Sequence, residues 1–205
     1  MPAELQTLII AVASYALGSI SFAVFVSRVM GLPDPRSYGS KNPGATNVLR
    51  SGSKLAAALT LIGDAGKGAL AVGLAALVTG ESLTAGYDPP VAGAMALLGH
   101  LYPAFHGFKG GKGVATAAGV LLALNPWLGL GTLATFGIII GFFRIVSLAS
   151  MVSAVFAVFW SFYLFREEPV SFAVVAIALS VIWRHRDNIV RLVRGTEPRL
   201  GAKKP

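Results

Sequence analysis

Apolar residues fall in seven runs joined by short linkers: Leu8–Val29, Leu55–Val78, Val91–Phe105, Val114–Leu124, Pro126–Phe143, Val146–Phe165 and Val170–Trp183. A helix of about 20 apolar residues spans the hydrocarbon core of a bilayer, and a shorter one can do so where protein shields it. The chain therefore reads as an all-α integral membrane protein of seven transmembrane helices, some short or broken. The third and fourth runs are short enough to be half-helices flanking the glycine-rich stretch between them. Charged residues make up only 13% of the chain, about half the share of a soluble domain.

Charge then orients the runs. Of 17 lysines and arginines, all but Lys67 and Arg166 fall on one side when the runs alternate across the bilayer. That side collects Arg28, Arg36, Lys41, Arg50 and Lys54, then Lys109 and Lys112, Arg144, and the tail beginning at Arg184. The linker after the second run holds only Glu81 and Asp88. Basic residues mark the cytoplasmic face, so the expected topology has the N-terminus outside and the C-terminus in the cytoplasm. Residues 1–205 read as one seven-span domain, with 189–205 as a basic cytoplasmic tail. The first run is preceded by Glu4 rather than a basic front, so no cleavable signal peptide is expected.

Several chemistries are excluded. The chain has no cysteine, hence no disulfide framework, thiolate nucleophile or thiolate metal site. Its nine acidic residues do not converge on the ligand set a metal cluster needs, so neither metal nor cofactor is expected. The net charge of +8 suits membrane lipids or an anionic substrate; nucleic acid is a poor partner for a chain lying mostly in lipid. The aspartate-rich pattern of CDP-alcohol phosphotransferases and the His-x4-Asp pattern of many glycerolipid acyltransferases are both missing: Phe105, Gly111 and Val190 stand five residues after His100, His106 and His185. Gly-Gly-Lys-Gly lacks P-loop spacing.

Three polar stretches remain, all on the basic side. The first is Lys109-Gly-Gly-Lys-Gly113, between two apolar segments. Glycines let a backbone turn tightly and approach a ligand closely, and successive N–H groups with a helix behind them hold an anion. Lys109 and Lys112 add countercharge. The second, Asp34 to Arg50, offers Ser40, Asn42, Thr46 and Asn47 as hydrogen-bonding groups, Gly39 and Gly44 as turn formers, and Arg36 and Arg50 as forks for phosphate oxygens. An ordinary polar loop is the plainer reading of it. In the third, Trp183 to Glu197, His185 and Asn188 share a helix face. Arg191 and Arg194 there fit an amphipathic end lying on anionic lipid. Inside the second run, Asp64 and Lys67 form either a structural ion pair or a device orienting the site. Ser147 and Ser150 cap a helix or touch an anion at its start. His100 and His106 read as structural partners of the turn.

Together, Gly-Ser-Lys-Asn-Pro-Gly-Ala-Thr-Asn (39–47), Phe-Lys-Gly-Gly-Lys-Gly-Val-Ala-Thr (108–116) and Arg-His-Arg-Asp-Asn-Ile-Val-Arg-Leu (184–192) resemble the bacterial acyl-phosphate:glycerol-3-phosphate acyltransferase family, PlsY. The resemblance extends to Leu17-Gly-Ser-Ile20, Ile145-Val-Ser-Leu-Ala-Ser150 and Gly195-Thr-Glu197. It implies a multi-pass enzyme of the bacterial inner (plasma) membrane with its active site on the cytoplasmic side. Such an enzyme moves a fatty acyl group from acyl phosphate, not acyl-CoA or acyl carrier protein, to the 1-hydroxyl of sn-glycerol 3-phosphate, giving lysophosphatidic acid and phosphate. It also implies a peripheral partner, PlsX, that makes the acyl phosphate. On this resemblance the expected catalytic residues are Lys112, His185, Asn188 and Ser40. The expected substrate- and phosphate-binding residues are Gly39, Asn42, Gly44, Thr46, Asn47, Arg50, Lys109, Gly110, Gly111, Gly113 and Ser147. Lys41 stands where the family usually has glycine: either that corner tolerates a side chain or it gains a cation at the pocket rim. A transporter of small organic phosphates would share the basic pocket and broken helices, but its anion sites would be reachable from both sides. A purely structural subunit leaves the glycine–lysine motifs without a purpose.

Overall fold

The computed structural model describes residues 1–201, so Lys203 and Lys204 of the tail lie outside the described residues. The described residues form helices and connecting turns, with no strand among them. The first apolar run is not continuous. Helix α1 covers Ala3–Gly18 and α2 covers Phe22–Val29. Short hydroxyl side chains compete with helical backbone bonds, and here they break the helix. Ser21 caps α2 by accepting from the Val24 N–H, and Ser19 Oγ donates to the Tyr15 carbonyl at 2.9 Å. The break leaves the Ile20 carbonyl free, and Lys67 Nζ donates to it at 2.7 Å.

A long loop leads to the single turn α3 (Ala45–Val48), a 3-10 turn at Leu49–Ser51, and α4 (Lys54–Thr79). Ser53 caps α4 and Gly80 closes it at φ 71°. At 1.5 Å per residue α4 is about 39 Å long, more than the roughly 30 Å hydrocarbon core. Helix α5 runs Asp88–Leu101, earlier at both ends than the expected Val91–Phe105. Pro89 and Pro90 sit in its first turn, where the missing N–H groups have no partner to lose. Asp88 anchors the start: its carboxylate accepts from Gln6 and Thr7, and its N–H donates to Glu81. Pro103 stops the far end before the 3-10 turn at Ala104–His106. Helices α6 (Val114–Leu124), α7 (Pro126–Phe143) and α8 (Val146–Phe165) have the expected bounds. Helix α9 (Pro169–Arg184) and the short basic α10 (Arg186–Val193) follow.

α4 packs against α6 and α5, α1 against α5, and α7, α8 and α9 in succession. Small residues bring the backbones close. Gly119 of α6 lies against the Ala65 carbonyl of α4 so tightly that a β-carbon would collide with it, the packing typical of helices in lipid. The core holds Leu97, Leu101, Val120, Leu124 and Leu128. The outer surface is apolar too: Leu77, Phe142 and Phe159 are 80%, 82% and 71% exposed. Large apolar faces of this kind need a lipid or protein partner. Among the described residues, four stretches are long and apolar enough to cross a membrane: Ala3–Val29 taken through its break, Lys54–Thr79, Pro126–Phe143 and Val146–Phe165.

Candidate active site

Three polar stretches converge at one end of the bundle. The turn before α6 folds back onto the end of α5. Gly107, Phe108 and Gly113 take φ of 61°, 60° and 80°, and the Gly111 N–H donates to the His100 carbonyl at 3.2 Å. Gly110 and Gly111 are buried. A β-carbon on Gly110 would strike the His100 carbonyl, and one on Gly111 would strike His100 Nε2 and approach the Pro43 carbonyl to 2.9 Å. Their bareness thus seats the turn on α5 and on the 34–50 loop. From the other side Arg184 donates to the Gly110 carbonyl at 2.9 Å and the Gly111 carbonyl at 3.1 Å, with its guanidinium over the Tyr102 ring.

The turn so held delivers Lys112. Its Nζ donates to Asn188 Oδ1 at 2.5 Å, joining the glycine–lysine turn to the Trp183–Glu197 stretch. Asn188 Nδ2 donates to Glu197 Oε1 at 2.5 Å, Ser147 Oγ donates to the same oxygen at 2.6 Å, and Arg191 Nε donates to Glu197 Oε2 at 2.7 Å. Ser147 therefore neither caps α8 nor stands free: it meets the tail. Ser150 bonds back to the Val146 carbonyl. Burial lowers the Lys112 pKa, with Glu197 opposing. Burial pushes Glu197 up, but the bonds from Ser147, Asn188 and Arg191 outweigh it and hold the carboxyl below its ordinary range. One carboxylate against Lys112, Arg184 and Arg191 leaves the cluster net positive.

His185 sits at the joint of α9 and α10, 2% exposed. Its Nδ1 faces the Val181 carbonyl at 2.8 Å. That acceptor fixes the proton on Nδ1 and leaves the Nε2 lone pair available. Burial pushes its pKa down to about 4, against the Val181 bond that raises it, so the ring is neutral near pH 7.

The 34–50 loop divides its labour. Asn47 is 3% exposed, and its side chain is engaged by the loop itself: Nδ2 donates to the Pro35 and Tyr38 carbonyls at 2.7 and 3.2 Å, and Oδ1 accepts from the Ser40 N–H at 3.0 Å. Asn47 thus shapes the loop. Gly39, at φ 60°, leaves room for Asn47 and for the Arg50 side chain, which would lie 3.1 Å from a β-carbon there. Gly44 opens α3, Asn42 is half-buried beside it, and Ser40, Thr46, Arg50 and Lys109 are exposed. Among the described residues the side chains of these four make no hydrogen bond. They are brought to the same end of the bundle but not into the Lys112 network. Arg36 pairs with Asp34 at 2.6 Å.

Lys41 takes φ 56°, a left-handed conformation that disfavours a β-carbon by about 1–2 kcal/mol. That is a physical reason for a glycine at this corner, and the exposed side chain is tolerated at a strain. Lys41→Gly is expected to raise stability by about 0.5–1 kcal/mol, read as a higher thermal midpoint of the purified protein.

Sequence reasoning missed Arg184, whose partners are backbone carbonyls, and Glu197. Two signals pointed to Glu197: its place in the Gly195-Thr-Glu197 stretch of the family resemblance, and its sign, a single acid near the end of a tail otherwise basic after Asp187. Between α6, α7, α8 and α9 lies an apolar cleft of about 50 Å³, lined by Val114, two residues after Lys112, by Val181, whose carbonyl faces His185, and by Ala117, Phe136, Ala154 and Ile177.

A helical, multi-pass membrane protein with a basic, turn-built cluster beside an apolar cleft is the class this arrangement defines. A family model described as glycerol-3-phosphate acyltransferase matches residues 8–195. The glycerol-3-phosphate acyltransferase of Ralstonia nicotianae is 57% identical over 204 residues, covering 100% of this chain and 99% of its own. That of Burkholderia pseudomallei is 57% identical over 202 residues, 98% of each. Two crystal structures of PlsY, an integral membrane glycerol 3-phosphate acyltransferase, share the fold. Its glycerol 3-phosphate form gives a TM-score of 0.88 at 37% identity over 95% of this chain and 96% of that one. Its lysophosphatidic acid form gives 0.87 at 36%, over 95% of each. The chain belongs to the PlsY family of glycerol-3-phosphate acyltransferases.

Proposed function

We propose that this chain transfers a fatty acyl group from acyl phosphate to the 1-hydroxyl of sn-glycerol 3-phosphate, releasing lysophosphatidic acid and inorganic phosphate, the first acylation of phospholipid synthesis. The observation that carries the reading is the contact of Lys112 with Asn188 at 2.5 Å, with Val114, two residues on, lining the apolar cleft: a cationic anchor beside an apolar slot between helices. The ligands of the two PlsY crystal forms, glycerol 3-phosphate and lysophosphatidic acid, fit as acceptor and product.

Both substrates carry phosphate, and their repulsion must be offset for them to lie side by side. Lys112 and the turn hold one anion, with Arg50, Lys109, Ser40 and Thr46 free at the rim for the other. The hydroxyl oxygen attacks the acyl carbonyl carbon, the carbonyl–phosphate C–O bond breaks, and phosphate leaves with that oxygen. Phosphate is already a good leaving group, so orientation and charge stabilisation supply most of the rate. His185 Nε2 accepts a hydrogen bond from the hydroxyl and aims it. A ring with a pKa of about 4 is a weaker base than a phosphate monoester, whose second pKa is about 6, so the proton passes to a substrate phosphate oxygen. The acid limb of kcat near pH 6 is therefore expected to persist in His185→Gln, at lower turnover; its disappearance in a pH–rate profile would make the imidazole the base.

The same reading takes the α1–α2 pair, α4, α5, α6, α7, α8 and α9 as seven spans of one domain in the bacterial inner membrane. The N-terminus is outside, and the site and basic tail face the cytoplasm, where PlsX supplies acyl phosphate. It is supported by the gathering of all the site stretches at one end of the bundle and by the Lys/Arg bias of the linkers. The test is an assay of the purified protein with glycerol 3-phosphate and acyl phosphate, with acyl-CoA as control donor. Lysophosphatidic acid is expected from acyl phosphate alone; none from that donor would overturn the reading.

A further inference from the structure

Behind the turn lies a charged group that the reaction above does not use. Asp64, Lys67 and His100 are 2%, 3% and 7% exposed, in the interior of a helical bundle. Lys67 Nζ lies 2.8 Å from Asp64 Oδ1, and His100 Nδ1 lies 3.4 Å from the same oxygen. Both nitrogens thus converge on one carboxylate oxygen. Removing such charges from water costs several kcal/mol per ion, and an apolar pair would pack there as well. Stability alone does not account for the group.

Its connections do. Lys67 also donates to the Ile20 carbonyl at the α1–α2 break. His100 faces two ways: Nδ1 toward Asp64, and Nε2 against Gly111, where no β-carbon fits. The His100 carbonyl takes the Gly111 N–H. Ser19 Oγ accepts from the Ala104 N–H at 3.2 Å, and Tyr15 donates to the Tyr102 carbonyl at 2.6 Å, so the end of α1 is tied to the same corner. The path Lys67–Asp64–His100–Gly111 ends one residue before Lys112.

We propose that Asp64, Lys67 and His100 form a positioning group for the Lys112 turn: the ion pair fixes the His100 ring, and the ring backs Gly111 while Arg184 holds its carbonyl from the opposite side. The inference rests on the acyltransferase reading above. A lone buried charge is strongly destabilising, so the pair is best replaced together. Purified Asp64→Asn/Lys67→Met is expected to keep its helical content and thermal midpoint within a few degrees. Its kcat/KM for acyl phosphate and glycerol 3-phosphate should fall at least tenfold, most of it as a higher KM. A merely structural pair would change the yield or melting of the protein and leave the constants of the folded fraction alone. His100→Asn is the second variant, because its amide can still face Asp64 but no longer reaches Gly111; the same loss is expected. Kinetics within twofold of the unaltered chain in folded protein would overturn the inference while leaving the reaction standing. Failure of both variants to accumulate as folded protein would overturn it too, making the group an element of the fold. An unaltered chain inactive on acyl phosphate would sink the reading of the reaction, and the inference with it.

Discussion

Lys112→Ala is expected to lower turnover by about 10²–10³ while folded protein is recovered in normal amount. The lysine is half-buried, its Nζ is 2.5 Å from Asn188 Oδ1, and it stands two residues before Val114, which lines the cleft. In the proposed transfer, charge on the departing phosphate and on the carbonyl oxygen grows in the transition state, and a fixed cation in a site shielded from water acts on that growth more strongly than on the ground state. The fold should tolerate the change because the turn is held by others: His100 behind, Arg184 across the carbonyls, Gly113 at its left-handed entry to α6. The measurement is lysophosphatidic acid formed per folded enzyme at saturating substrates. Unchanged kinetics would remove Lys112 from the site.

Glu197→Ala should damage both activity and stability. The carboxylate side chain is 7% exposed and takes hydrogen bonds from Ser147, Asn188 and Arg191. Without it, three donors lose their acceptor, and Asn188 is free to swing away from Lys112. A loss on the order of 2 kcal/mol in stability follows from the unsatisfied buried groups, together with a drop in turnover of about tenfold or more from the loosened Asn188. Glu197→Gln, which keeps an acceptor oxygen, should lose less. Thermal midpoints, limited proteolysis of the tail and turnover would be read together; a tail as protease-resistant in Glu197→Ala as before would argue against the tie. Because the folded-state carboxyl ionises below its ordinary value of 4.5, this contribution is fully present above that pH and fades as pH falls through the lower folded value.

The apolar runs predicted α6, α7 and α8 to the residue, since their ends coincide with turn formers and charges that hydropathy reads directly. The break at residues 19–21 was not legible, because the groups that hold it lie far along the chain: the Ala104 N–H donates to Ser19 Oγ and Lys67 donates to the Ile20 carbonyl. The same division holds in the site. Lys112, His185 and Asn188 stood out by type and spacing, and the fold joins Lys112 to Asn188 and puts His185 on the joint beside them. Asn47 stood out equally, but a lone side-chain amide does not disclose whether its partner is a ligand or the backbone of Pro35 and Tyr38. Arg184 and Glu197 act through carbonyls and through a tail that folds back, and neither geometry leaves a local pattern.

The apolar cleft between α6 and α9 is open along one flank, where Leu133, which lines it, is 40% exposed. A long-chain donor or product of the proposed transfer, seated in that slot, can exchange sideways with the surrounding bilayer and need not cross water. Its supply is then set by crowding in two dimensions. Diluting the membrane with inert lipid or detergent, at constant bulk concentration of every reactant, should slow such an enzyme, whereas changing the volume of buffer should not.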